Sequence, residues 1–349
     1  MNAKQRVKGV IARKPVDMVP YSFDLTSVIT GKIAERMNVQ PRDVHSAIGD
    51  NMLYVGPGGP GGPRGFTQLV SGENHITDEF GVVWDRSQKA LNAGDWGGIV
   101  SSPLAGPDLA RYVTPDGHAP GRFEHLNDNE LVASGRYVIL GMDGLFDRGW
   151  HIRGFENLLT DFACEEEFVC DLLERILEFN LGLIDQAPDY IDGIRFGEDW
   201  GHQGGMLMGA AYWRKYLKKR LGIMYGAAKK RGFDVLIHSC GDIHEIFPDL
   251  IEIGVDAVHP VQPEVMDVLA LKREYGKDIV LYGGMGSQST IPKGTVTEVL
   301  EEAKMLIDNL SVGGGYIFGP AGAIPNDAKM DNVMALIDFV MNKDNLCPA

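Results

Sequence analysis

The segment DVLIHSCGDI, residues 234–243, places two candidate metal ligands directly after a short apolar run. His238 and Cys240 are two residues apart, a spacing that puts both side chains on one side of an extended chain. Zinc takes imidazole and thiolate ligands together, and a catalytic zinc keeps one coordination position open. A buried cysteine beside a hydrogen-bonded histidine would give the same pattern, because two donors alone do not make a metal site.

Two adjacent carboxylates follow another apolar run in the same way. Glu198 and Asp199 come directly after GIRFG, residues 193–197. Such a pair suits a metal ligand next to a general acid or base, but a helix cap next to a solvated charge would use the same residues. His259 ends a third run, where an imidazole can bind substrate or donate to a backbone carbonyl.

Short apolar runs alternate with helical patterns along most of the chain. The predicted strands are residues 18–23, 136–142, 191–197, 234–239, 255–260, 278–284 and 315–320, with a less distinct eighth within 81–100. The predicted helices are residues 155–187, 206–231, 243–252, 263–275, 295–310 and 328–342. Strands that are apolar on both faces and precede helices indicate a parallel sheet covered by helices. Eight such strands would close a (β/α)8 TIM barrel, one domain over residues 1–349, and an open doubly wound sheet is the alternative.

A parallel barrel gathers its functional groups at the carboxyl ends of its strands, so the polar residues above would share one face. The first residues, MNAKQRVKGVIARKPVD, predict an amphipathic basic helix ahead of the barrel. The Gly/Pro-rich segment GPGGPGGPRG, residues 56–65, predicts a long loop near the barrel mouth that covers a substrate. It lacks the GK[ST] sequence of a phosphate-binding loop.

The composition excludes several classes of partner. The chain has 349 residues and a formal net charge of -15. An acidic protein repels phosphate backbones and anionic lipid, so we expect no nucleic acid and no membrane partner. Four scattered cysteines do not make a disulfide framework, and no apolar run approaches the roughly 18 residues of a membrane-spanning helix. The start of the chain also lacks the apolar core of a secretion signal. We therefore expect a cytoplasmic protein.

Longer motifs carry a resemblance to a known family. The segments FGEDWGHQGG, VLIHSCGDIHEIFPDL, YGGMGSQSTIPKG and GGGYIFGPAGAIPNDAK occur in this order, and DEFGVVWDR precedes them. With the opening KQRVKGVIARKPVDMVPYSF, the chain resembles the uroporphyrinogen decarboxylase superfamily over essentially its whole length. The resemblance implies a (β/α)8 barrel with a deep cleft at its carboxyl face, often assembled as a homodimer.

The superfamily divides by chemistry. True uroporphyrinogen decarboxylases use no metal and grip their substrate with an arginine-rich motif after the first strand. This chain has PYSFDLTSVITGK there, with no arginine between Arg13 and Arg36. The cobamide-dependent methyltransferases instead use a His-x-Cys motif to bind zinc, and His238 and Cys240 match it. Coenzyme M methyltransferases add a cysteine in the last strand's loop, where this chain has Gly322.

The resemblance therefore implies a zinc-dependent methyltransferase. We expect it to move a methyl group from a small O-methyl donor, such as a methoxylated aromatic, to a corrinoid (cobalamin) on a separate corrinoid-binding protein. We expect the cobalt-ligating Asp-x-His-x-x-Gly motif on that partner and not on this chain. The expected site has metal ligands His238, Cys240 and Glu198, orienting catalytic residues Asp199 and His259, and substrate-binding residues Tyr21, Asp24, Trp200, Met285 and Gln288.

Three alternatives remain open from the sequence. A metal-independent decarboxylase of uroporphyrinogen decarboxylase type would act on another carboxylated substrate. A methylcorrinoid:thiol methyltransferase would use zinc to bind a thiol, although Gly322 leaves its third ligand missing. A carrier that binds a corrinoid or tetrapyrrole without turnover would need no catalytic group.

Overall fold

The computed structural model describes residues 1–59, 66–67, 74–87, 89–90 and 97–347, with the backbone alone for residues 66–67. The strands are β1 Met52–Val55, β2 Phe66–Thr67, β3 His75–Asp78, β4 Val83–Asp85, β5 Gly98–Ser101, β6 Tyr137–Asp143, β7 Gly193–Gly197, β8 Gly201–His202, β9 Gly205–Met206, β10 Asp234–His238, β11 Ala257–Val261, β12 Val280–Met285 and β13 Tyr316–Pro320. The α-helices are α1 Ala3–Ile11, α2 Ser27–Met37, α3 Val44–Ala47, α4 Asp128–Ala133, α5 Leu145–Arg153, α6 Phe155–Cys164, α7 Glu166–Gln186, α8 Gly209–Trp213, α9 Lys219–Lys230, α10 Phe247–Glu252, α11 Val268–Tyr275, α12 Thr290–Lys293, α13 Val296–Leu310 and α14 Met330–Met341.

Seven strands form one parallel sheet in the order β1-β6-β7-β10-β11-β12-β13. Segment 20–25 fills the gap between the first and last of them. The backbone N–H of Asn51 donates to the carbonyl of Tyr21 at 3.0 Å, and the N–H of Ser22 donates to the carbonyl of Phe318 at 3.0 Å. Tyr21 and Phe318 also form a parallel bridge. The sheet is thus closed into the predicted (β/α)8 barrel.

The predicted positions of β6, β7 and β10 to β13 are confirmed to within two residues at either end. The predicted eighth strand was misplaced. Residues 83–85 and 98–101 belong to a separate four-stranded antiparallel sheet, in the order β2-β3-β4-β5. The additional barrel strand is β1, which pairs with β6 in parallel register. Its four residues are too short a run to show a clear period.

The antiparallel sheet is fixed to the barrel by a buried ion pair. Asp78, at the end of β3, accepts hydrogen bonds from the backbone N–H groups of Phe80 and Val82 and so closes the turn into β4. Its other oxygen accepts from Arg148 Nη1 on α5 at 2.8 Å. Of the predicted loop 56–65, residues 60–65 lie outside the described residues, so its covering role stays a prediction.

Alternate residues of the barrel strands fill the barrel interior. Tyr137, Leu236 and Tyr282, from β6, β10 and β12, belong to one buried apolar cluster. Helix α1 confirms the predicted amino-terminal helix, and its residues Val7 and Val10 pack into the same cluster. The amino end of the barrel is therefore closed by apolar packing, which leaves the carboxyl end for polar groups.

The helices cover the outer face of the sheet through a second, larger apolar cluster. The predicted helix 155–187 is interrupted at Glu165, between α6 and α7, and the predicted helix 206–231 begins only at Gly209. The predicted helix 263–275 is shorter, at Val268–Tyr275. Among the helices of the described ranges, none combines the length and the apolar character that a membrane span needs.

Candidate metal centre

Strand alternation places one carboxylate at the carboxyl end of β7 inside the barrel. Arg195 points inward, and Phe196 is fully buried in the outer apolar cluster. Continued past the end of the strand, this alternation turns Glu198 toward the helices and Asp199 back toward the barrel axis. The structure shows both orientations.

The same alternation on the neighbouring strand brings two further donors to the same place. His238 pairs with Gly197 across the parallel ladder. His238 and Cys240 face the barrel interior, whereas Ser239, between them, is fully buried and accepts from the backbone N–H of Trp200 at 3.0 Å. The His-x-Cys spacing therefore puts imidazole and thiol on one side, as the sequence indicated.

Asp199, His238 and Cys240 form a compact group, called here the outer donor group. His238 Nε2 lies 3.5 Å from Cys240 Sγ and 3.7 Å from Asp199 Oδ1. Asp199 Oδ1 also accepts from the backbone N–H of Cys240 at 2.8 Å. The side chain of Asp199 is 45% exposed and that of His238 is 21% exposed. The group is therefore accessible from one side.

The geometry of the outer donor group fits a zinc ion. A tetrahedral zinc holds nitrogen at about 2.0–2.1 Å and sulfur at about 2.3 Å, so two such donors lie roughly 3.5 Å apart. The Nε2–Sγ distance is 3.5 Å, and the Nε2–Oδ1 distance of 3.7 Å is slightly longer. Three protein donors leave a fourth coordination position for a substrate, which is the arrangement of a catalytic zinc site.

Without a cation, the protonation of the group is set by burial. Burial, with the nearby Arg195, lowers the pKa of His238 to about 4, so the imidazole is neutral near pH 7. Burial, with the Asp199 carboxylate, raises the pKa of Cys240 to about 12. The thiol keeps its proton until a metal ion displaces it.

We expect zinc binding to release about one proton per chain, because the thiol must ionise to become a ligand. At pH values from about 6 to 8, below the thiol pKa and above the imidazole pKa, zinc affinity should rise about tenfold per pH unit. Calorimetric titration in buffers of different ionisation enthalpy measures the protons released. Cys240→Ser should abolish the release, and a pH-independent affinity of the wild type would contradict thiolate ligation.

A second polar cluster, called here the inner group, lies beside the first around Arg195. Arg195 Nη2 donates to Asp24 Oδ2 at 2.9 Å, and Nη1 donates to Tyr54 Oη at 3.0 Å. Nη2 also lies 2.5 Å from His238 Nδ1 and 3.0 Å from His259 Nδ1. The two Nδ1 atoms are 2.9 Å apart. Only 1% of His259 is exposed, so this group is buried more deeply than the outer one.

The charges of the inner group balance internally. Burial alone would raise the pKa of Asp24, but the charge and hydrogen bonds of Arg195 outweigh it and hold the pKa well below its usual range. Burial and the adjacent Arg195 lower the pKa of His259 well below its usual value. The group therefore consists of one carboxylate, one guanidinium and neutral imidazoles.

Glu198 does not lie with the other donors. It is fully buried, and its Oε1 and Oε2 accept from the backbone N–H groups of Leu145 at 2.6 Å and Phe146 at 2.8 Å. These bonds cap the first turn of α5. A Cβ at Gly144 would come within 2.1 Å of Glu198 Cδ, so that position accepts no side chain. The structure therefore does not bring Glu198 to the outer donor group, and Asp199 is the carboxylate that lies there.

Three of the predicted substrate-binding residues are core residues. Tyr21 is 4% exposed, and its hydroxyl donates to the carbonyl of Ile48 at 2.8 Å. Trp200 is fully buried against Trp213, edge to face, with ring centroids 5.4 Å apart. Met285 is also fully buried. The structure places these three side chains in packed positions, and their predicted substrate contacts stay a prediction.

The other two predicted substrate-binding residues are polar groups of the carboxyl face. Asp24 pairs with Arg195 in the inner group. Gln288 is exposed, and its Oε1 accepts from Gln203 Nε2 at 3.2 Å. That bond joins the loop after β12 to the β8–β9 hairpin, so Gln288 lies on a rim formed by two loops.

Gly322 has a φ of +106°. An L-residue with a side chain adopts this conformation only with strain, so the backbone here favours glycine. The loop after β13 therefore suits a glycine at the position where the related thiol methyltransferases are expected to have cysteine.

The sequence reasoning missed Arg195 and Tyr54. Arg195 lies in β7 between Gly193 and Gly197, which share its face of the strand. An arginine within a central strand is a signal for a buried cation, because a charged side chain there is retained only with polar partners. Tyr54 lies in β1, the strand that the sequence did not reveal.

The expectation that this chain lacks the Asp-x-His-x-x-Gly pattern is wrong, because DGHAPG at residues 116–121 matches it. A Cβ at Gly117 would come within 2.0 Å of the carbonyl oxygen of Phe179, so this glycine allows close packing on α7. The side chain of His118 is 59% exposed and lies 3.9 Å from Asp185. Gly121 has a φ of +87° and forms a turn. Packing and turn geometry account for the glycines of this match.

Comparison with solved structures shows the fold. A methyltransferase from Methanosarcina mazei matches with a TM-score of 0.70 and 17% identity, over 97% of this chain and 98% of that one. Dispersin B matches at a TM-score of 0.39 and 13% identity, over 94% and 99% of the two chains. A sugar phosphate isomerase/epimerase from Parabacteroides distasonis matches at 0.40 and 8%, over 94% and 98%. The last two likenesses are too weak to support an argument.

A comparison with curated proteins gave no match. The family model described as uroporphyrinogen decarboxylase (URO-D) matches residues 148–342, which is more than half of the chain. This match includes β7, β10 and β11, which position the outer donor group and most of the inner group. Asp24 and Tyr54 of the inner group lie before the matched residues. On this evidence of its own sequence, the chain belongs to the uroporphyrinogen decarboxylase family.

Proposed function

We propose that the chain is a zinc-dependent methyltransferase that moves a methyl group from a small O-methyl donor to a corrinoid on a partner protein. The observation that carries the proposal is the outer donor group, in which a carboxylate, an imidazole and a thiol lie within 4.8 Å of one another. A mixed O, N, S donor set with an accessible side suits a zinc ion that also binds a substrate.

The comparisons support this proposal at the level of family and fold. URO-D family membership gives the barrel, and the Methanosarcina mazei protein of the same fold is described as a methyltransferase. Neither match specifies zinc, a corrinoid or an O-methyl substrate. Those finer parts of the proposal follow from the donor chemistry of this chain and from its resemblance to the cobamide-dependent branch.

The outer donor group would hold the zinc. When bound, zinc supplies a Lewis acid that stabilises negative charge on an oxygen as a methyl group leaves. Cys240 and Asp199 bring anionic ligands, and the neutral His238 brings an imidazole. The backbone N–H of Cys240 holds Asp199 Oδ1 at 2.8 Å, which fixes the carboxylate beside the other two donors.

The inner group would orient the histidine ligand. His238 Nδ1 lies 2.9 Å from His259 Nδ1, so the second imidazole limits rotation of the first. Arg195 Nη2 contacts the Nδ1 atoms of both rings, and Asp24 holds Arg195 in place by accepting from the same nitrogen. His259 thus acts as a positioning residue, and Asp199 acts as a ligand in place of the orienting role first assigned to it.

The proposed reaction would break the oxygen–methyl bond of the donor and pass the methyl group to the reduced corrinoid of the partner protein, which would serve as the methyl-accepting substrate. The oxygen keeps the electron pair and is released as an alcohol or phenol after it takes up a proton. A methoxylated aromatic fits, because a phenolate is a more stable leaving group than an aliphatic alkoxide. The corrinoid protein would dock at the carboxyl face, near the rim where Gln203 and Gln288 link two loops. The reaction would take place in the cytoplasm.

Decarboxylation of a polycarboxylate without metal is less well supported by the site. Such a substrate needs cations that are free to bind carboxylates. Arg195 is the cation of the inner group, and both of its terminal nitrogens already donate to Asp24 or Tyr54. A substrate carboxylate would have to displace a buried ion pair to reach it.

A methyl-transfer assay tests the function. Purified protein is incubated with reduced cobalamin and a panel of methoxylated aromatics, methanol and methylated thiols, and methylcobalamin formation is followed spectroscopically. The proposal predicts turnover with an O-methyl aromatic that stops after chelation and returns with added zinc. Full activity in the chelated protein would contradict the metal-dependent mechanism, and transfer between methylcobalamin and thiols alone would assign the thiol reaction instead.

A further inference from the structure

One imidazole serves two donor groups in this barrel. The Nε2 edge of His238 faces Cys240 and Asp199, and its Nδ1 edge faces His259 and Asp24. The inner trio of Asp24, His238 and His259 also brings its ligand atoms within 4.8 Å of one another. A ring shared in this way has the geometry of a bridging ligand between two metal ions.

A guanidinium occupies the inner trio. Arg195 Nη2 lies within 3.0 Å of one donor atom from each of its three members, at 2.9 Å from Asp24 Oδ2, 2.5 Å from His238 Nδ1 and 3.0 Å from His259 Nδ1. A metal ion bound to the same three atoms would lie about 2.0–2.2 Å from each of them. The nitrogen and the ion would therefore compete for one space.

Charge repulsion from Arg195 also disfavours a metal ion at the inner trio. The guanidinium already neutralises Asp24, and a divalent cation beside it would be repelled in a buried site where screening is weak. Tyr54 holds the other terminal nitrogen at 3.0 Å, and the Arg195 side chain is only 13% exposed. Both terminal nitrogens of the Arg195 guanidinium are thus held in position.

We propose that Arg195 is a tethered cation in the place of a second metal ion, and that it restricts the centre to one metal at the outer donor group. This inference rests on the proposed metal site of Asp199, His238 and Cys240. It adds a specificity role for a residue outside that site: Arg195 decides which of two overlapping donor sets accepts an ion.

Cobalt(II) titration of Arg195 variants tests the role, because cobalt replaces zinc and reports its ligands by absorption. Arg195→Met keeps much of the side-chain length and removes the charge, and Arg195→Lys retains a cation. We expect about one ion per chain in the wild type and in the lysine variant, with a thiolate charge-transfer band, and about two in Arg195→Met. The second ion should add visible d–d absorption without increasing the thiolate band.

A double variant locates the second ion. Adding His259→Ala to Arg195→Met should return the stoichiometry to about one while the thiolate band stays. Two ions in Arg195→Met that persist after His259→Ala would overturn the assignment of the inner trio. A single ion in Arg195→Met, at cobalt concentrations that saturate the wild type, would overturn the blocking role.

A variant with Arg195 intact guards against misfolding of the arginine variants. If Arg195 blocks the inner trio, Cys240→Ser should bind cobalt at least about a hundredfold more weakly than the wild type, because the described residues contain no further complete donor set that is open to the ion. Retention of one tightly bound ion without a thiolate band would show the inner trio accepting metal beside Arg195. Failure of the proposed function is distinguishable, since the wild type itself would then bind no cobalt with a thiolate band.

Discussion

Asp199→Asn should lower the zinc affinity of the protein by more than about a hundredfold and reduce methyl transfer in proportion. Loss of a residue that only orients a ligand costs about 10- to 100-fold, and loss of an anionic ligand costs more. Asparagine keeps the size and one carbonyl oxygen, so it can still accept from the backbone N–H of Cys240 at the 2.8 Å contact. Zinc content by elemental analysis and affinity by competition with a chromogenic chelator measure the effect.

Glu198→Gln is the matched control, because it makes the same change one residue earlier. Burial and the neighbouring Asp147 raise the pKa of Glu198 well above its usual value, so replacing its carboxyl with a neutral amide of the same size is a mild change at this position. One of the two capping bonds to α5 is lost, at a cost of about 1–2 kcal/mol in the free energy of unfolding. Zinc content should stay unchanged. Loss of zinc in this variant with retention in Asp199→Asn would reverse the assignment of the third ligand.

Cys240→Ser should reduce bound zinc from about one ion per chain to below about a tenth and abolish metal-dependent methyl transfer. Serine occupies nearly the same space, but its hydroxyl does not ionise to a ligand at neutral pH as a thiol does on zinc. The fold should persist, because the outer donor group contributes little to the apolar core. Circular dichroism and the urea midpoint check the fold beside the zinc measurement.

The chain supplies its own cysteine control. Cys164 lies exposed at the end of α6, away from the strands of the site, and Cys164→Ser should keep full zinc content and activity. Equal zinc content in the two serine variants would mean that Cys240 is a packing residue. That outcome would remove the basis for a catalytic metal in this barrel.

The sequence predicted the barrel because its six strands from β6 onward are continuous apolar runs separated by helical patterns. The strand prediction failed at β1, because four residues are too few to show a periodic pattern. The closing segment 20–25 forms isolated bridges in place of a regular ladder. The conclusion that eight positions close the sheet was correct, although one of them was placed in the antiparallel sheet.

The candidate site was predicted as far as local spacing reaches. His238 and Cys240 belong to one strand end, so their spacing alone places them together. The third donor depends on the direction of side chains after β7, where Glu198 and Asp199 point to opposite faces. Alternation counted from Arg195 would have selected Asp199, because residues two and four positions apart share a face. Arg195 itself could not be assigned, because its partners come from four other strand positions that the sequence does not order in space.

X-ray absorption at the zinc edge of the purified wild type tests the central claim most directly. The account predicts about one zinc per chain with one sulfur scatterer at about 2.3 Å and nitrogen or oxygen scatterers at about 2.0–2.1 Å, from Cys240, His238 and Asp199. Any zinc that remains in Cys240→Ser should show no sulfur scatterer. A zinc-replete protein with only nitrogen and oxygen neighbours would contradict it.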